Sequence, residues 1–163
     1  MSSQTTPTNS HHGYTRVSFT EAVMYAFHNI FNYRDRATRA EYWWFFLFTW
    51  LGGLVTGFVD AILSVTFHFQ ILSTIFLIAI FFAFAALTVR RYHDSNHTGW
   101  WMLLPLPVTF IAILFLAMTS PPSGWQMAFS SLLIFASTGW LFALTVLDGT
   151  VGNNRYGPDP KGR

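Results

Sequence analysis

Four long apolar runs divide this chain and constrain its fold more than any other feature. They cover residues 42–65, 71–89, 100–118 and 125–147, and Asp60 is the one charged residue within them. An α-helix needs about 20 predominantly apolar residues to cross a hydrocarbon core about 30 Å thick, and each run approaches or exceeds that length. The sequence therefore predicts an all-α integral membrane protein with four transmembrane helices arranged as two hairpins.

The composition argues against the alternative, a soluble protein with four buried helices. Only 10% of the residues are charged and 52% are hydrophobic, whereas about 25% of the residues of an average soluble domain are charged. With so few charges, the chain cannot supply the polar outer faces that four helices need in water. Cysteine is absent, which excludes disulfides and thiol chemistry.

Two segments precede the first apolar run. Residues 1–16 are mainly Ser, Thr, Gln, Asn and His, which predicts a disordered tail and no cleavable signal peptide. After it, Ser18 and Glu21 have the spacing of an N-terminal capping box, and apolar residues recur at helical intervals from Phe19 onwards. We predict a short amphipathic helix at about 18–32 that lies in the cytoplasmic interface, or packs against the inner end of the bundle, or does both.

The positions of the basic residues predict how the chain crosses the membrane. All nine lie before the first run, between the second and third runs, or after the fourth: Arg16, Arg34, Arg36, Arg39, Arg90, Arg91, Arg155, Lys161 and Arg163. The other two connections, 66–70 and 119–124, contain none. Because Lys and Arg of short loops stay on the cytoplasmic side, both termini are expected in the cytoplasm. A four-span domain over residues 17–149 is then followed by a cytoplasmic tail, 150–163.

Three polar segments are expected to meet at the cytoplasmic face, where acidic and basic residues alternate. The predicted ion pairs are Arg36 or Arg39 with Asp94, and Arg90 or Arg91 with Glu41. The acidic residues on this side are Glu21, Asp35, Glu41, Asp94, Asp148 and Asp159, which leaves a balance of +3. Such a surplus favours anionic lipid headgroups by roughly 1 kcal/mol per basic residue near the surface.

A metal site is the other interpretation of the polar loop between the second and third runs. His93 and His97 stand four residues apart with Asp94 beside the first, which resembles two ligands on one helical face. The residues around them are mainly turn formers, however, so a continuous helix is not expected there, and two histidines would leave a metal site incomplete. We predict a hydrogen-bonded turn, and we expect no bound metal and no cofactor.

Within the spans, three features carry structural expectations. Asp60 lies 18 residues after the start of the first run, which is about 27 Å along a helix, so a hydrated position near the outer boundary is predicted. Gly53 and Gly57 form a small-xxx-small pair that lets another helix approach closely. Pro105 and Pro107 should bend the third span near its start, since proline lacks the backbone donor.

Three motifs resemble the bacterial inner-membrane family catalogued as domain of unknown function 805, over about residues 19–161. The motifs are Arg36-Ala37-Thr38-Arg39-Ala40-Glu41-Tyr42-Trp43, Arg90-Arg91-Tyr92-His93-Asp94 followed by Gly99-Trp100-Trp101, and Asn154-Arg155-Tyr156-Gly157-Pro158-Asp159-Pro160. The resemblance implies a small four-span protein of the cytoplasmic membrane with no established activity. The chain departs from the family pattern at Asp35, where the family usually has Gly, and at Asn96 and His97, which weakens the metal interpretation further.

The leading hypothesis is a non-enzymatic membrane protein whose cytoplasmic polar cluster binds anionic lipid or docks a protein partner. The cluster comprises Arg36, Arg39, Glu41, Arg90, Arg91, His93, Asp94, Asn154, Arg155 and Asp159. No nucleophile, acid and base stand together in it, so no catalytic residue is predicted. The alternatives are a small oligomeric transporter or channel subunit that uses Asp60, and a membrane-embedded metal enzyme that uses the two histidines. A homo-oligomer is possible in either membrane role, and no nucleic-acid partner is expected.

Overall fold

Helices build the membrane domain, as the apolar runs predict. The computed structural model describes residues 17–67, 71–118 and 121–163, so the predicted disordered tail, 1–16, lies outside the described residues. The described helices are α1 (Phe19–His28), α2 (Arg39–Phe67), α3 (Leu72–Asp94), a 3-10 helix (Gly99–Leu103), α4 (Pro105–Ala117) and α5 (Gly124–Val146). The prediction of an all-α fold with a short helix ahead of the spans is confirmed.

Four helical segments are long and apolar enough to cross a membrane, namely Arg39–Val65, Leu72–Asp94, Gly99–Ala117 and Gly124–Val146. α2 packs against α3 and α4 packs against α5, which confirms the two predicted hairpins. Large apolar side chains on their outer faces, such as Phe58, Ile78 and Phe135, are exposed. An apolar surface of this extent suits lipid as its solvent, because soluble proteins rarely expose contiguous apolar patches of this kind.

The two hairpins contact each other mainly at one end of the bundle. α3 contacts both the 3-10 helix and α5 there, and its buried side chains are concentrated in its second half. The residues after α5 fold back over the same end, where the Thr150 backbone N–H donates to the Asp94 carbonyl at 2.9 Å. We call this region, formed by residues 34–41, 90–98 and 147–163, the polar end.

Helix α1 begins at the predicted capping box and packs against the bundle. The Ser18 hydroxyl accepts a hydrogen bond from the Glu21 backbone N–H at 3.3 Å, and the Glu21 carboxylate accepts one from the Ser18 N–H at 2.8 Å. On the face of α1 that packs against the bundle, Ala26 is fully buried, and the Phe27 ring meets the Phe45 ring edge-on at a centroid distance of 5.6 Å. Packing on α2 and α3 was one of the two predicted placements, and the interfacial position stays a prediction.

The third span is interrupted where the sequence predicts a bend. The chain forms the 3-10 helix first, and a new helix, α4, starts at Pro105. Proline is favoured at the first position of a helix because its missing N–H would have no acceptor within the helix there. The 3-10 helix also lies very close to α3, since a Cβ added at Gly99 would lie 2.7 Å from a Val89 methyl group. The structure therefore has two helices in this span, where one bent helix was predicted.

The glycine that brings two helices together is different from the predicted pair. A Cβ added at Gly53 or Gly57 would meet nothing within 4 Å among the described residues. At Gly52, by contrast, a Cβ would overlap the ring of Phe76 on α3. Close packing of α2 on α3 therefore depends on Gly52, and the small-xxx-small pair is left on an open face of the described chain.

Asp60 is buried, which corrects the expectation of a hydrated position. Its residue exposure is 2%, and its carboxylate accepts hydrogen bonds from the Leu72 N–H at 3.0 Å, the Ser73 N–H at 2.7 Å and the Ser73 hydroxyl at 2.5 Å. The first backbone N–H groups of a helix have no acceptor within that helix. Asp60 on α2 therefore caps the start of α3, a role that needs the neighbouring helix and is invisible in the local sequence.

We expect Asp60→Ala to destabilise the α2–α3 hairpin, because the first turn of α3 loses its acceptor. Loss of a helix cap costs about 1 kcal/mol and up to about 2 kcal/mol. Circular dichroism of the detergent-solubilised protein should show unfolding at a lower temperature. Ser64→Ala is the matched control, since the Ser64 hydroxyl bonds the Ala61 carbonyl of its own helix and no other residue that the structure describes. Equal unfolding temperatures for the two variants would contradict the capping role.

Candidate functional site

Arg36 occupies the centre of the polar end and is buried. Its guanidinium pairs with Asp94, with Nη2 at 2.9 Å and Nε at 3.0 Å from Oδ1, which confirms one predicted ion pair. It also donates to the carbonyls of Thr150 at 2.5 Å and Gly152 at 2.7 Å. One side chain thus connects the residues ahead of α2, the end of α3 and the segment after α5.

Arg91 binds the other oxygen of the same carboxylate. It is fully buried, pairs with Asp94 Oδ2, and donates to the carbonyls of Thr145 at 3.2 Å and of Leu147. Asp94, which is 1% exposed, therefore lies between two guanidinium groups. A buried charge is tolerated only when it is paired and hydrogen-bonded. Backbone carbonyls supply the remaining acceptors, so this buried ionic cluster of Arg36, Arg91 and Asp94 is internally satisfied.

The predicted pairs of Arg90 or Arg91 with Glu41 do not form as direct ion pairs, although the charges of Arg90 and Glu41 attract each other. Glu41 forms a capping box with Thr38, whose N–H lies 3.3 Å from the Glu41 carboxylate and whose hydroxyl accepts from the Glu41 N–H at 3.2 Å. Arg90 is fully buried, and its guanidinium lies 5.3 Å from the centre of the Tyr25 ring. Glu41 hydrogen-bonds to Thr38 instead, because the two residues are three apart in the sequence and meet at the start of α2. The spacing of Thr38 and Glu41 was the signal that could have shown this.

The C-terminal motif is attached to the end of α3 by His93. The His93 and Tyr156 rings stack at a centroid distance of 3.7 Å and an angle of 3°. Asn154 donates its side-chain N–H to the His93 carbonyl at 2.9 Å. Arg155 lies over the Tyr156 ring and donates to the Asn96 carbonyl at 2.9 Å. These contacts place the predicted site residues of two distant motifs side by side.

The two histidines of the metal interpretation lie in different surroundings. The chain turns at Asn96, which has a φ of 60°. The Asn96 N–H donates to the His93 carbonyl at 3.0 Å and the His97 N–H to the Tyr92 carbonyl at 2.9 Å, the pattern of a Schellman motif. The predicted hydrogen-bonded turn is confirmed. Among the described residues, no group of three His, Cys, Asp or Glu side chains could hold a metal ion.

Three basic side chains surround Asp148 at the accessible edge of the polar end. Lys161 forms an ion pair with it, Arg163 Nη1 lies at 3.1 Å from Oδ2, and Arg39 Nε lies at 3.6 Å from Oδ1. The hydrogen bond from Lys161 lowers the pKa of Asp148 to about 2, so the carboxylate is ionised at neutral pH. The Arg39 and Asp148 side chains are 45% and 44% exposed. We call these four residues the Asp148 rim. Arg163 also pairs with Asp159 at 3.1 Å, so three cations face two carboxylates and leave an excess of one positive charge.

Asp159 orders the segment that carries two of these cations. It is buried and accepts hydrogen bonds from the Lys161 backbone N–H at 2.9 Å and from Arg163 Nε at 3.1 Å. Burial raises the pKa of Asp159, but these bonds outweigh burial and hold its pKa below the ordinary value. Of the rim, sequence reasoning had identified Arg39 as a site residue and had missed Asp148, Lys161 and Arg163.

Comparisons with known proteins agree with the motifs that build the polar end. The sequence profile of a family described as protein of unknown function (DUF805) matches residues 30–158. The inner membrane protein YhaI of Escherichia coli strain K12 is 35% identical over 133 residues, which cover 82% of this chain and 89% of that relative. The inner membrane protein YhaH of the same strain is 33% identical over 139 residues, with coverage of 82% and 90%. No solved structure matches the chain significantly.

Proposed function

Because this chain belongs to the DUF805 family of proteins of unknown function, we propose that it is a non-enzymatic, multi-pass inner-membrane protein whose cytoplasmic face binds anionic lipid. The observation that carries the proposal is the Asp148 rim, where Arg39, Lys161 and Arg163 meet at Asp148 and outnumber the nearby carboxylates Asp148 and Asp159. Basic residues near a membrane surface attract anionic headgroups by about 1 kcal/mol each. The rim is therefore the part of the polar end that suits a headgroup.

The buried ionic cluster has a structural part in this proposal. Arg36, Arg91 and Asp94 are inaccessible, and each is hydrogen-bonded within the protein. Their bonds to the backbone after α5 hold that segment against the bundle. This positions Lys161 and Arg163 beside Arg39, although the three are far apart in the sequence. The buried ionic cluster holds the C-terminal segment in place, and the Asp148 rim is the charged surface that results.

The use of the titratable side chains supports a non-enzymatic role. A general acid or base must lie within hydrogen-bonding reach of a substrate atom. His93 is stacked on Tyr156, and Asp94 is enclosed by two guanidinium groups. His93 and Asp94 are thus occupied by contacts within the protein.

The alternative function, a small oligomeric transporter or channel subunit, needs polar side chains along a path through the membrane. Asp60 is the residue on which the sequence analysis bases this alternative. In the structure, Asp60 accepts hydrogen bonds from Leu72 and Ser73 at the start of α3, so its carboxylate is explained by the packing of one hairpin. Solute flux into reconstituted vesicles, lost in Asp60→Asn, is the result that would favour the alternative.

The cytoplasmic orientation is part of the proposal, and the absence of cysteine from the sequence allows a direct test. Asn153→Cys places a thiol at the polar end and Pro121→Cys places one at the connection between α4 and α5, and both positions are exposed. A membrane-impermeant maleimide added to spheroplasts should label position 121 and spare position 153, which becomes reactive on lysis. Labelling of position 153 in intact spheroplasts would contradict the proposed orientation.

Lipid binding itself is tested by native mass spectrometry of the protein after gentle extraction and exchange into phosphatidylglycerol or phosphatidylcholine. We expect preferential retention of phosphatidylglycerol, and we expect the preference to weaken as salt is added, because exposed charges are screened beyond about 8 Å at physiological ionic strength. Equal retention of the two lipids would contradict the proposal. A protein partner recovered in defined stoichiometry, without lipid preference, would replace lipid binding by docking.

A further inference from the structure

A crevice of about 210 Å³ opens between α2, α3 and α5. Trp43 in its wall follows Arg39 of the Asp148 rim by one helical turn. Its walls are the aromatic rings of Trp43, Phe46 and Phe142. Phe46 and Phe142 are 40% and 59% exposed on the outside of the bundle, so the crevice opens onto the surface that faces lipid. The buried floor includes the hydroxyl-bearing side chains of Tyr42, Tyr92 and Thr145.

The register of the two helices places a cation at one mouth of this crevice. Arg39 stands one turn before Trp43 on α2, and Val146 stands one turn after Phe142 on α5. Arg39 Nη1 donates to the Val146 carbonyl at 3.2 Å. One turn deeper, the Trp43 and Phe142 rings meet at a centroid distance of 5.7 Å. Arg39 at the polar end is thus followed, one turn further into the span, by the aromatic walls of the crevice.

We propose that this crevice binds one anionic phospholipid, with its phosphate at Arg39 and one acyl chain along Trp43, Phe46 and Phe142. The inference rests on the proposed function and assigns it a place. Charge complementarity supports this occupant, because the Asp148 rim has an excess of positive charge at the mouth. The volume agrees, since pockets for whole drug-sized ligands measure about 300–1,000 Å³ and this crevice suits part of a chain.

Replacing Asp148 distinguishes lipid binding from a purely structural role, because the two predict opposite changes in lipid affinity. Its carboxylate lies 3.6 Å from Arg39 Nε, where it competes with a phosphate for the same guanidinium. Removing that negative charge should therefore strengthen lipid binding, whereas removing the Arg39 charge should weaken it. A change that merely loosened the polar end would weaken binding in both variants.

The experiment is a titration of the purified full chain with phosphatidylglycerol, with phosphatidylcholine as the neutral lipid, read by native mass spectrometry. Arg39→Gln should weaken the tightest phosphatidylglycerol site about fivefold, the effect of one basic residue at a membrane surface, and leave phosphatidylcholine binding unchanged. Asp148→Asn should strengthen the phosphatidylglycerol site. Arg34→Gln is the matched control, because Arg34 is an exposed cation of the polar end without a carboxylate partner among the described residues, and it should behave as wild type.

Phe142→Trp tests the acyl part, since a larger ring fills the crevice and keeps every charge. We expect the single tight site to be lost while the circular dichroism spectrum is unchanged. Glycerol 3-phosphate, which has the phosphate without a chain, should not compete, and competition by it would overturn the crevice in favour of a site for free phosphate. If phosphatidylglycerol is preferred but Arg39→Gln and Phe142→Trp have no effect on its binding, the crevice is not the binding site, and the proposed function stands. If the wild type shows no preference, both fail.

Discussion

Asp94→Asn is expected to remove most of the folded protein from the membrane. Asp94 is 1% exposed and is the carboxylate partner of both Arg36 and Arg91 in the buried ionic cluster. Removing one partner of a buried ion pair costs about 3–5 kcal/mol, because the other charge is left uncompensated. That is a large part of the roughly 5–15 kcal/mol by which native proteins are stable. The abundance of the protein in isolated membranes and its unfolding temperature in detergent would measure the loss.

Asp148→Asn is the matched control for this prediction. It makes the same chemical change at the same end of the bundle, and Asp148 has three basic partners. Its side chain is 44% exposed, however, and exposed ion pairs contribute about 0–1 kcal/mol. We expect near-normal abundance for this variant. Similar losses in both variants would show that burial does not distinguish the two aspartates.

The architecture could be predicted because a membrane imposes few solutions. Apolar runs long enough to cross a membrane had to become helical, and all four runs did. Arg36 and Asp94 could be paired because the basic residues placed their segments at one face. Which of several charges pair could not be predicted, because local hydrogen bonding competes. Glu41 caps the start of α2 with Thr38, and Arg90 lies over the Tyr25 ring.

The Asp148 rim could not be predicted, because it depends on the return of the C-terminal segment. Residues 150–163 have the composition of a tail, and their contacts join positions more than a hundred residues apart, as with Arg36 and Gly152. The available signal was a series of glycines. Gly152 and Gly157 have φ values of 75° and 132°, which other residues rarely adopt, so this segment is built for a specific folded path. Composition alone hides that information.

The second large effect is expected from Gly149→Ala, a change of one methyl group. A Cβ at this position would overlap the carboxylate of Asp94. The carboxylate cannot move aside easily, because Arg36 holds one of its oxygens and Arg91 holds the other. Overpacking typically costs about 1–3 kcal/mol, and here the displaced group is the centre of the buried ionic cluster, so the loss should approach that of Asp94→Asn.

Gly139→Ala separates this effect from the general consequences of replacing glycine. Gly139 lies within α5, and a Cβ there would meet nothing within 4 Å among the described residues. Alanine in a helix interior is favoured over glycine by about 0.5–1 kcal/mol, so this variant should unfold at the same or a higher temperature. The φ of Gly149 is not positive, so backbone strain cannot explain a loss at that position. An unchanged unfolding temperature in Gly149→Ala would mean that the Asp94 carboxylate is free to shift, and would contradict rigid packing of the buried ionic cluster against Gly149.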